Sequence, residues 1–479
     1  MSLARDMLFS GESQSVEYKI DVPSNSEKYM KTVVAYANGR GGRIVFGIDD
    51  QTLKVVGMNP DNIFHTMDAI TNAISDSCEP RIIPDVTLQT VEDKTVIVVE
   101  IAPGKMRPYY LKSKGMVEGS FIRVSGTTRH VADYMLKELI LEGQNRYYDC
   151  EPCEGLVITP EDIERLCEEL KATALKNTIT NAEKAKVNDV TKNILLSWGV
   201  LAEREGAIVP TNAYALLTGQ AKAQPSIQCA VFKGTDRAYF VDRREFEGPI
   251  QAQMEAAYQY VLEKLNRGMK IQGLYRQDVY ELPLDSVREL IANSVAHRSY
   301  LEPGNIQVAI YEDRLEVTSP GMLMNGVSIE KMMAGYSKIR NRAIANVFSY
   351  MKIIEKWGSG IPRIIRESKE YGLPEPELID FDGDFRVSIY RHLPVKDRFH
   401  ADDTNDTNDD TNDTIPENDR KILRYIRENP TITQIELKER LEVSLATVKR
   451  LMADLQKRGI IERQGTNRNG KWTILETKK

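Results

Sequence analysis

The chain opens with a pattern that changes period several times. "EKYMKTVVAYANG", residues 27–39, carries apolar positions at helical spacing and ends on Gly39, a helix stop. "GGRIVFGIDD" reads as a short buried strand entered through two glycines, and "TVIVVEIAP" as a strand closed by proline. "MVEGSFIRVSGTTRH" reads as a strand ending in a polar turn. Residues 1–145 therefore predict an α/β domain. From 146 to 234 the pattern turns helical, and "TPEDIERLCEELKATAL" starts on a Thr159 cap followed by Pro160. A second α/β unit over 235–395 contains "LDSVRELIANSVAH", "IQVAIY" and "RLEVTSPG". The fold class expected is thus α/β (α+β) and multidomain.

Composition then changes abruptly. "ADDTNDTNDDTNDT" is low-complexity Asp, Asn and Thr without the apolar residues a core needs. Residues 396–418 are expected to form a flexible acidic linker of net charge −6, with a reach of roughly 25 Å. Residues 419–479 hold fifteen Lys and Arg against eight Asp and Glu, a net +7. Here "DRKILRYIRENP", "TITQIELKERLEV" and "SLATVKRLMADLQKRG" predict three helices, and "IIERQGTNRNGKWTIL" two short strands around a Gly/Asn turn.

The whole chain has 479 residues and a net charge of −6, so a uniformly basic nucleic-acid coat is excluded while a local basic patch is not. Its five scattered cysteines fit a reduced intracellular protein rather than a disulfide framework, and Cys150 and Cys153 have no second pair to complete a zinc site. No run reaches the ~18 apolar residues of a membrane span. The expectation is a cytoplasmic protein with no membrane partner.

Three places carry candidate chemistry. "GESQSVEYKI" sets Glu12, Glu17 and Lys19 within eight positions, as a surface salt-bridge cluster or as part of a metal site. In "VRELIANSVAH", Glu289 and Asn293 are four apart, so they share a helix face. That spacing lets an acid polarise water while an amide holds magnesium. Gly358 and Gly360 open a later helix, where a phosphate can approach. By contrast "GTNRNGKW" is a false P-loop: Trp472 replaces the magnesium-binding hydroxyl and a strand, not a helix, follows. The glycines of "NGRGGR" are read as a tight turn before a strand rather than a phosphate loop.

Resemblances extend these readings. The three helices and hairpin of 419–479 resemble a winged helix-turn-helix. The resemblance implies that the helix from Ser444 enters the major groove, with Ser444, Thr447, Lys449 and Arg450 meeting bases or phosphates. Arg463, Arg468 and Lys471 would place the wing on the backbone. Residues 235–392, through "ANSVAHRSY", "YEDRLEVTSPG", "RNRAIANVF" and "IEKWGSGIPRI", resemble the ATP-binding fold shared by gyrase and histidine kinases (GHKL), in the version found beside Schlafen-type domains. This implies Glu289 as general base, Asn293 as metal ligand, and Gly358 and Gly360 in the phosphate loop. Of the adenine-reading D-x-G-x-G only Gly321 remains, with Ser319 at the aspartate position and Leu323 at the second glycine.

Residues 12–130 resemble the Schlafen-type AlbA domain, through "ESQSVEYK", "VVAYANGRGGRIVFGIDD" and "GSFIRVSGTT". The family's nuclease members imply that Glu12, Glu17 and Asp50 hold magnesium or manganese, with Lys19 on the phosphate. Lys112, Lys114, Arg123 and Arg129 would then track a DNA or RNA backbone. Such nucleases build their groove from duplicated lobes, and a homodimer would supply the second. Three functions follow: a DNA-binding transcriptional regulator, a metal-dependent nuclease, or a nucleotide-gated dimerisation scaffold. No helicase motor motif is present.

Overall fold

The computed structural model describes residues 13, 15–124, 126–272, 275–324, 326–381, 383–391, 417–441, 445–457, 460–464 and 471–474. Two compact units divide at Pro394/Val395.

The first unit begins with a four-stranded sheet ordered Val16–Lys19, Gly42–Phe46, Lys94–Ile101, Asp85–Val91. Its first pair is parallel, with Glu17 opposite Ile44 and Lys19 opposite Phe46. A parallel pair needs a crossover, and the helix Glu27–Asn38 supplies it. Side chains alternate across the sheet: Ile44, Phe46, Ile97 and Val99 pack against Tyr29, Val33 and Tyr36 of the helix. On the opposite face Val45, Val96 and Val98 meet Tyr18 and Ile48. The glycine reading holds. Gly41 has φ +82°, and a side chain there would stand 2.7 Å from the Ile101 carbonyl.

The expected single strand over 116–130 is instead a short helix, Gly115–Gly119, followed by an antiparallel hairpin, Phe121–Val124 with Thr127–His130. Asn38 fastens the crossover helix to this region. Its amide donates to the Tyr109 and Phe121 carbonyls and accepts from Tyr109 N, at 2.7, 3.0 and 2.7 Å. The helix Asp133–Gly143 then leads onward.

Thr159 caps Pro160–Asn177 through a capping box with Asp162. This lead-in also contains a hairpin, Leu201–Arg204 with Ala207–Pro210. Its Leu166, Leu170, Leu195 and Tyr214 share one core with the second α/β unit. The two are joined further by the strand Ile227–Phe232, which lies before residue 235 yet pairs in parallel with Ile306–Ile310. The six-stranded sheet runs Phe240–Phe246, Ile227–Phe232, Ile306–Ile310, Arg314–Pro320, Asp384–Tyr390, Glu377–Phe381. Leu284–His297 packs against it and carries the candidate pair of residues. Asp149, fully buried, accepts from Ile344 N at 3.0 Å and so caps the helix Arg342–Tyr350. Burial raises its carboxyl to about 6, against these backbone donors.

The second unit holds the helices Glu417–Glu428, Gln434–Leu441 and Leu445–Lys457, and the antiparallel strands Ile461–Gln464 and Lys471–Ile474. Ile422, Ile426, Leu437, Val448, Met452, Leu455 and Trp472 close its core. Thr433 opens the second helix in a reciprocal box with Glu436. Residues after Gly470 form a strand, as the false P-loop reading requires. Most of the acidic stretch 396–418 lies outside the described residues.

Candidate functional site

Five of the sequence-selected residues come together in the second α/β unit. Glu289, Asn293, Gly321, Gly358 and Gly360 all line one cavity of about 200 Å³. Helical spacing stacks the first two, and Asn293 Nδ2 donates to Glu289 Oε1 at 3.1 Å. Gly360 starts the helix Gly360–Glu370 directly against them, where a Cβ would overlap Glu289 Oε1 and touch Asn293 Nδ2. Gly358, at φ +70°, packs onto the Gly335 carbonyl with no room for a side chain.

Electrostatics qualify the roles. Glu289 is 3% exposed and forms an ion pair with Arg363. A carboxylate so paired is already satisfied, which suits an anchor better than a free base. Lys338, Arg340 and Lys356 bring positive charge to the cavity wall. At the adenine-reading position, the Ser319 hydroxyl donates to the Ser294 carbonyl at 2.9 Å. His297 also lines the cavity, and burial together with Arg340 lowers its pKa to about 4, so it is neutral. Arg298 holds structure, donating to the Gly304 carbonyl at 2.6 Å.

Much of the cavity wall comes from residues 321–341, and this segment is tied to the N-terminal lobe. Lys338 pairs with Glu142 at 2.7 Å and Arg340 with Glu138 at 3.1 Å, both on Asp133–Gly143. Leu323 N donates to Asp380, which also binds Arg40. None of these pairs is local in sequence, and none was among the residues selected from it.

The N-terminal cluster is arranged differently from the metal reading. Glu17 is 6% exposed and receives Arg123 at 2.7 Å, Lys19 at 2.9 Å and the Thr32 hydroxyl at 2.9 Å. Arg123, selected as a backbone-tracking cation, is buried beneath the surface as the counter-ion of Glu17. Asp50 is exposed, beyond the end of the Gly42–Phe46 strand. Glu12 lies outside the described residues, and among the described residues no group of three His, Cys, Asp or Glu is placed to hold a metal. Lys112, Lys114 and Arg129 are exposed, Lys114 pairing with Glu27 at 2.5 Å. All five cysteines are free thiols, and burial beside Asp149 pushes Cys150 up to about 12.

In the second unit, Val448, Met452 and Leu455 face inward on Leu445–Lys457, which leaves Lys449 exposed. Thr447 is half-buried on the same helix, and Lys471 is exposed on the wing strand. Ser444 and Arg468 lie outside the described residues, as do the side chains of Arg450 and Arg463.

Comparison with known families matches this division. Residues 12–132 match "Schlafen, AlbA_2". Residues 304–389 match "Putative ATP-dependent DNA helicase recG C-terminal", and 415–462 match "Winged helix-turn-helix DNA-binding". Three parts of the chain are thus similar to an AlbA_2 domain, a RecG-C-terminal-type domain and a winged helix. Among solved structures, the DIP2311 protein from Corynebacterium diphtheriae is similar at 19% identity over 99% of this chain and 96% of its own, with a TM-score of 0.42. The N-terminal domain of a RecG-related protein, described as a putative ATP-dependent DNA helicase, from Nitrosomonas europaea is 21% identical over 27% of this chain and 90% of its own, with a TM-score of 0.21. Among the described residues no helix is long and apolar enough to cross a membrane.

Proposed function

We propose that this protein is a transcriptional regulator that reads duplex DNA with its winged helix and takes a nucleotide effector in the 200 Å³ cavity. The observation that carries the reading is the winged helix-turn-helix itself, with a net +7 over residues 419–479 and Lys449 standing free of the core. Helix and wing cations neutralise phosphates, and counter-ion release then makes the affinity fall with salt.

The residues of the cavity fit the phosphate end of a nucleotide. Gly358 and Gly360 allow close backbone approach, Lys338, Arg340 and Lys356 answer phosphate charge, and Asn293 would hold a divalent ion. A bound nucleotide would supply that charge. The adenine end lacks its carboxylate, so Ser319 offers only a hydroxyl. The Glu289–Arg363 pair favours binding over turnover. The cavity is smaller than the ~300–1,000 Å³ of most small-molecule sites. A whole nucleotide therefore requires the 321–341 wall to yield, and that wall is pinned to Glu138 and Glu142 of the N-terminal lobe. Effector binding is in this way coupled to the Schlafen lobe.

The test has two arms. Anisotropy of labelled duplex DNA, titrated from 50 to 200 mM salt, should show a steep slope that falls by about one on Lys449→Ala. Trp357, 90% exposed and next to the cavity-lining Gly358, should report titration of a non-hydrolysable ATP analogue by fluorescence, and Asn293→Ala should remove the response. No affinity for any duplex would refute the regulator. A flat fluorescence titration would refute the nucleotide effector alone.

A further inference from the structure

A larger cavity, of about 360 Å³, lies between the AlbA_2 lobe and the six-stranded-sheet lobe. It falls within the size range of ligand sites and at the kind of interface where they concentrate. The family matches assign it no role; of the residues selected from the sequence, Arg123, Gly321 and Leu323 lie on its wall.

Its wall holds three of the twelve buried side-chain polar atoms that lack a partner among the described residues. Arg107 and Arg123 both line it, with side chains 3% and 5% exposed, and each has a buried Nε–H without an acceptor. Glu302 lines it too, with Oε2 likewise unpartnered. None of the residues walling the 200 Å³ cavity has such an atom. Buried polar groups are nearly always hydrogen-bonded, and each exception needs a cause. Six cationic side chains face four carboxylates around this wall. Two of the six, Arg123 and Arg146, are paired with carboxylates outside the wall, Glu17 and Glu151. The terminal nitrogens of Arg107 are held by Glu142 and the Gly39 carbonyl, and those of Arg123 by Glu17 and the Ser13 carbonyl, so each Nε–H is the donor left for a charge-assisted bond to a phosphate oxygen. Tyr147 and Tyr300 also line the cavity and offer planar, amphipathic surface to a ring.

We propose that this inter-lobe cavity is a second ligand site, for a nucleoside monophosphate whose phosphate meets the Arg107 and Arg123 side and whose base lies against the tyrosines. Glu302 is consistent with an anionic guest. Burial, helped by Asp384 and Glu138, raises its carboxyl to about 7, so near neutrality a large share of it is protonated and can donate a hydrogen bond. The proposal does not rest on nucleotide binding in the smaller cavity, whose residue Asn293 is absent from this wall.

Isothermal titration of the full chain with AMP tests it, with adenosine and inorganic phosphate as half-ligands. AMP should bind at least ten times more tightly than either half. Tyr147→Ala and Arg107→Lys should each lower AMP affinity at least tenfold, while Tyr147→Phe, which keeps the ring, stays within about threefold by the same stacking logic. Thermal melting of each variant confirms folding, and the half-buried Tyr147 provides a readout should Arg107→Lys fail to fold. Absence of AMP binding at millimolar concentration overturns the proposal. So does either folded variant binding AMP as the parent does. The ATP-analogue response at Asn293 is measured separately, so the two readings fail independently.

Discussion

Replacing Glu17 with alanine separates two views of the N-terminal acids. Glu17 accepts from Arg123 at 2.7 Å, and Arg123 is 5% exposed at its side chain. Among the described residues, removing the carboxylate leaves that guanidinium hydrogen-bonded to Thr128 Oγ1 at 3.1 Å and the Ser13 carbonyl at 3.2 Å, over the Tyr36 ring. A buried pair broken from one side costs about 3–5 kcal/mol, because the remaining charge stays desolvated. The Thr32 hydroxyl keeps Thr128 within 3.1 Å, and Lys19 can turn to solvent, so neither adds much. Hydrogen exchange of the Glu27–Asn38 amides reads the local opening free energy. At about 1.4 kcal/mol per decade, exchange limited by this lobe should quicken by roughly 10² to nearly 10⁴-fold in metal-free buffer. A cluster of mutually repelling metal ligands behaves oppositely, since removing one carboxylate relieves repulsion. Exchange in Glu17→Ala as slow as in the parent, or slower, would refute the counter-ion argument and return Glu17 to the metal reading.

Other perturbations follow from the same structure. Gly360→Ala places a methyl onto Glu289 and Asn293, so it should cost about 1–3 kcal/mol by overpacking and abolish the ATP-analogue response; an unchanged melting temperature and titration would contradict this. The Glu302 carboxyl is raised from 4.5 to about 7, so the folded state loses stability as pH rises through that window. Glu302→Gln does not titrate, and urea midpoints should favour the variant at pH 8 while the two converge below about pH 4.5; equal midpoints at pH 8 would count against the raised value. On the proposed DNA-reading function, the −6 stretch 396–418 would compete with DNA for the +7 of 419–479. Changing its aspartates to serine should tighten duplex binding at low salt and have little effect at high salt, and no change at low salt would end the idea.

Local signals carried the reading of sequence into structure furthest. The Thr159 cap, the Gly39 stop, the glycine turn at Gly41 and the three C-terminal helices all depend on neighbours within a few residues. Glu289 and Asn293 were legible because four-residue spacing fixes a shared helix face, and the glycines because their motif accompanies a helix start. The Glu17–Arg123 pair spans 106 positions and could not be read that way. A signal was present, however: Arg123 sits inside "FIRV", a strand whose four residues are all buried. A guanidinium at such a place demands a carboxylate, which makes it a poor choice for a backbone-tracking cation. Strand Ile227–Phe232 was absorbed into a helical stretch because sheet membership depends on a partner almost eighty residues later, at Ile306–Ile310. The ties of Lys338 and Arg340 to Glu142 and Glu138 are longer still, and no periodicity records them.

The shared core of the lead-in and the six-stranded sheet also bears on how such chains diversify. Recombination can exchange a segment whose apolar residues satisfy one another, and the winged helix meets that condition with Ile422, Leu437, Val448, Met452 and Trp472 closed among themselves. A cut at residue 235 would separate Leu166, Leu195 and Tyr214 from the Val308 and Leu315 side of their common interior and strip the sheet of a strand. Residues 146–394 should therefore be inherited as a block, while the winged helix can be exchanged at the acidic junction.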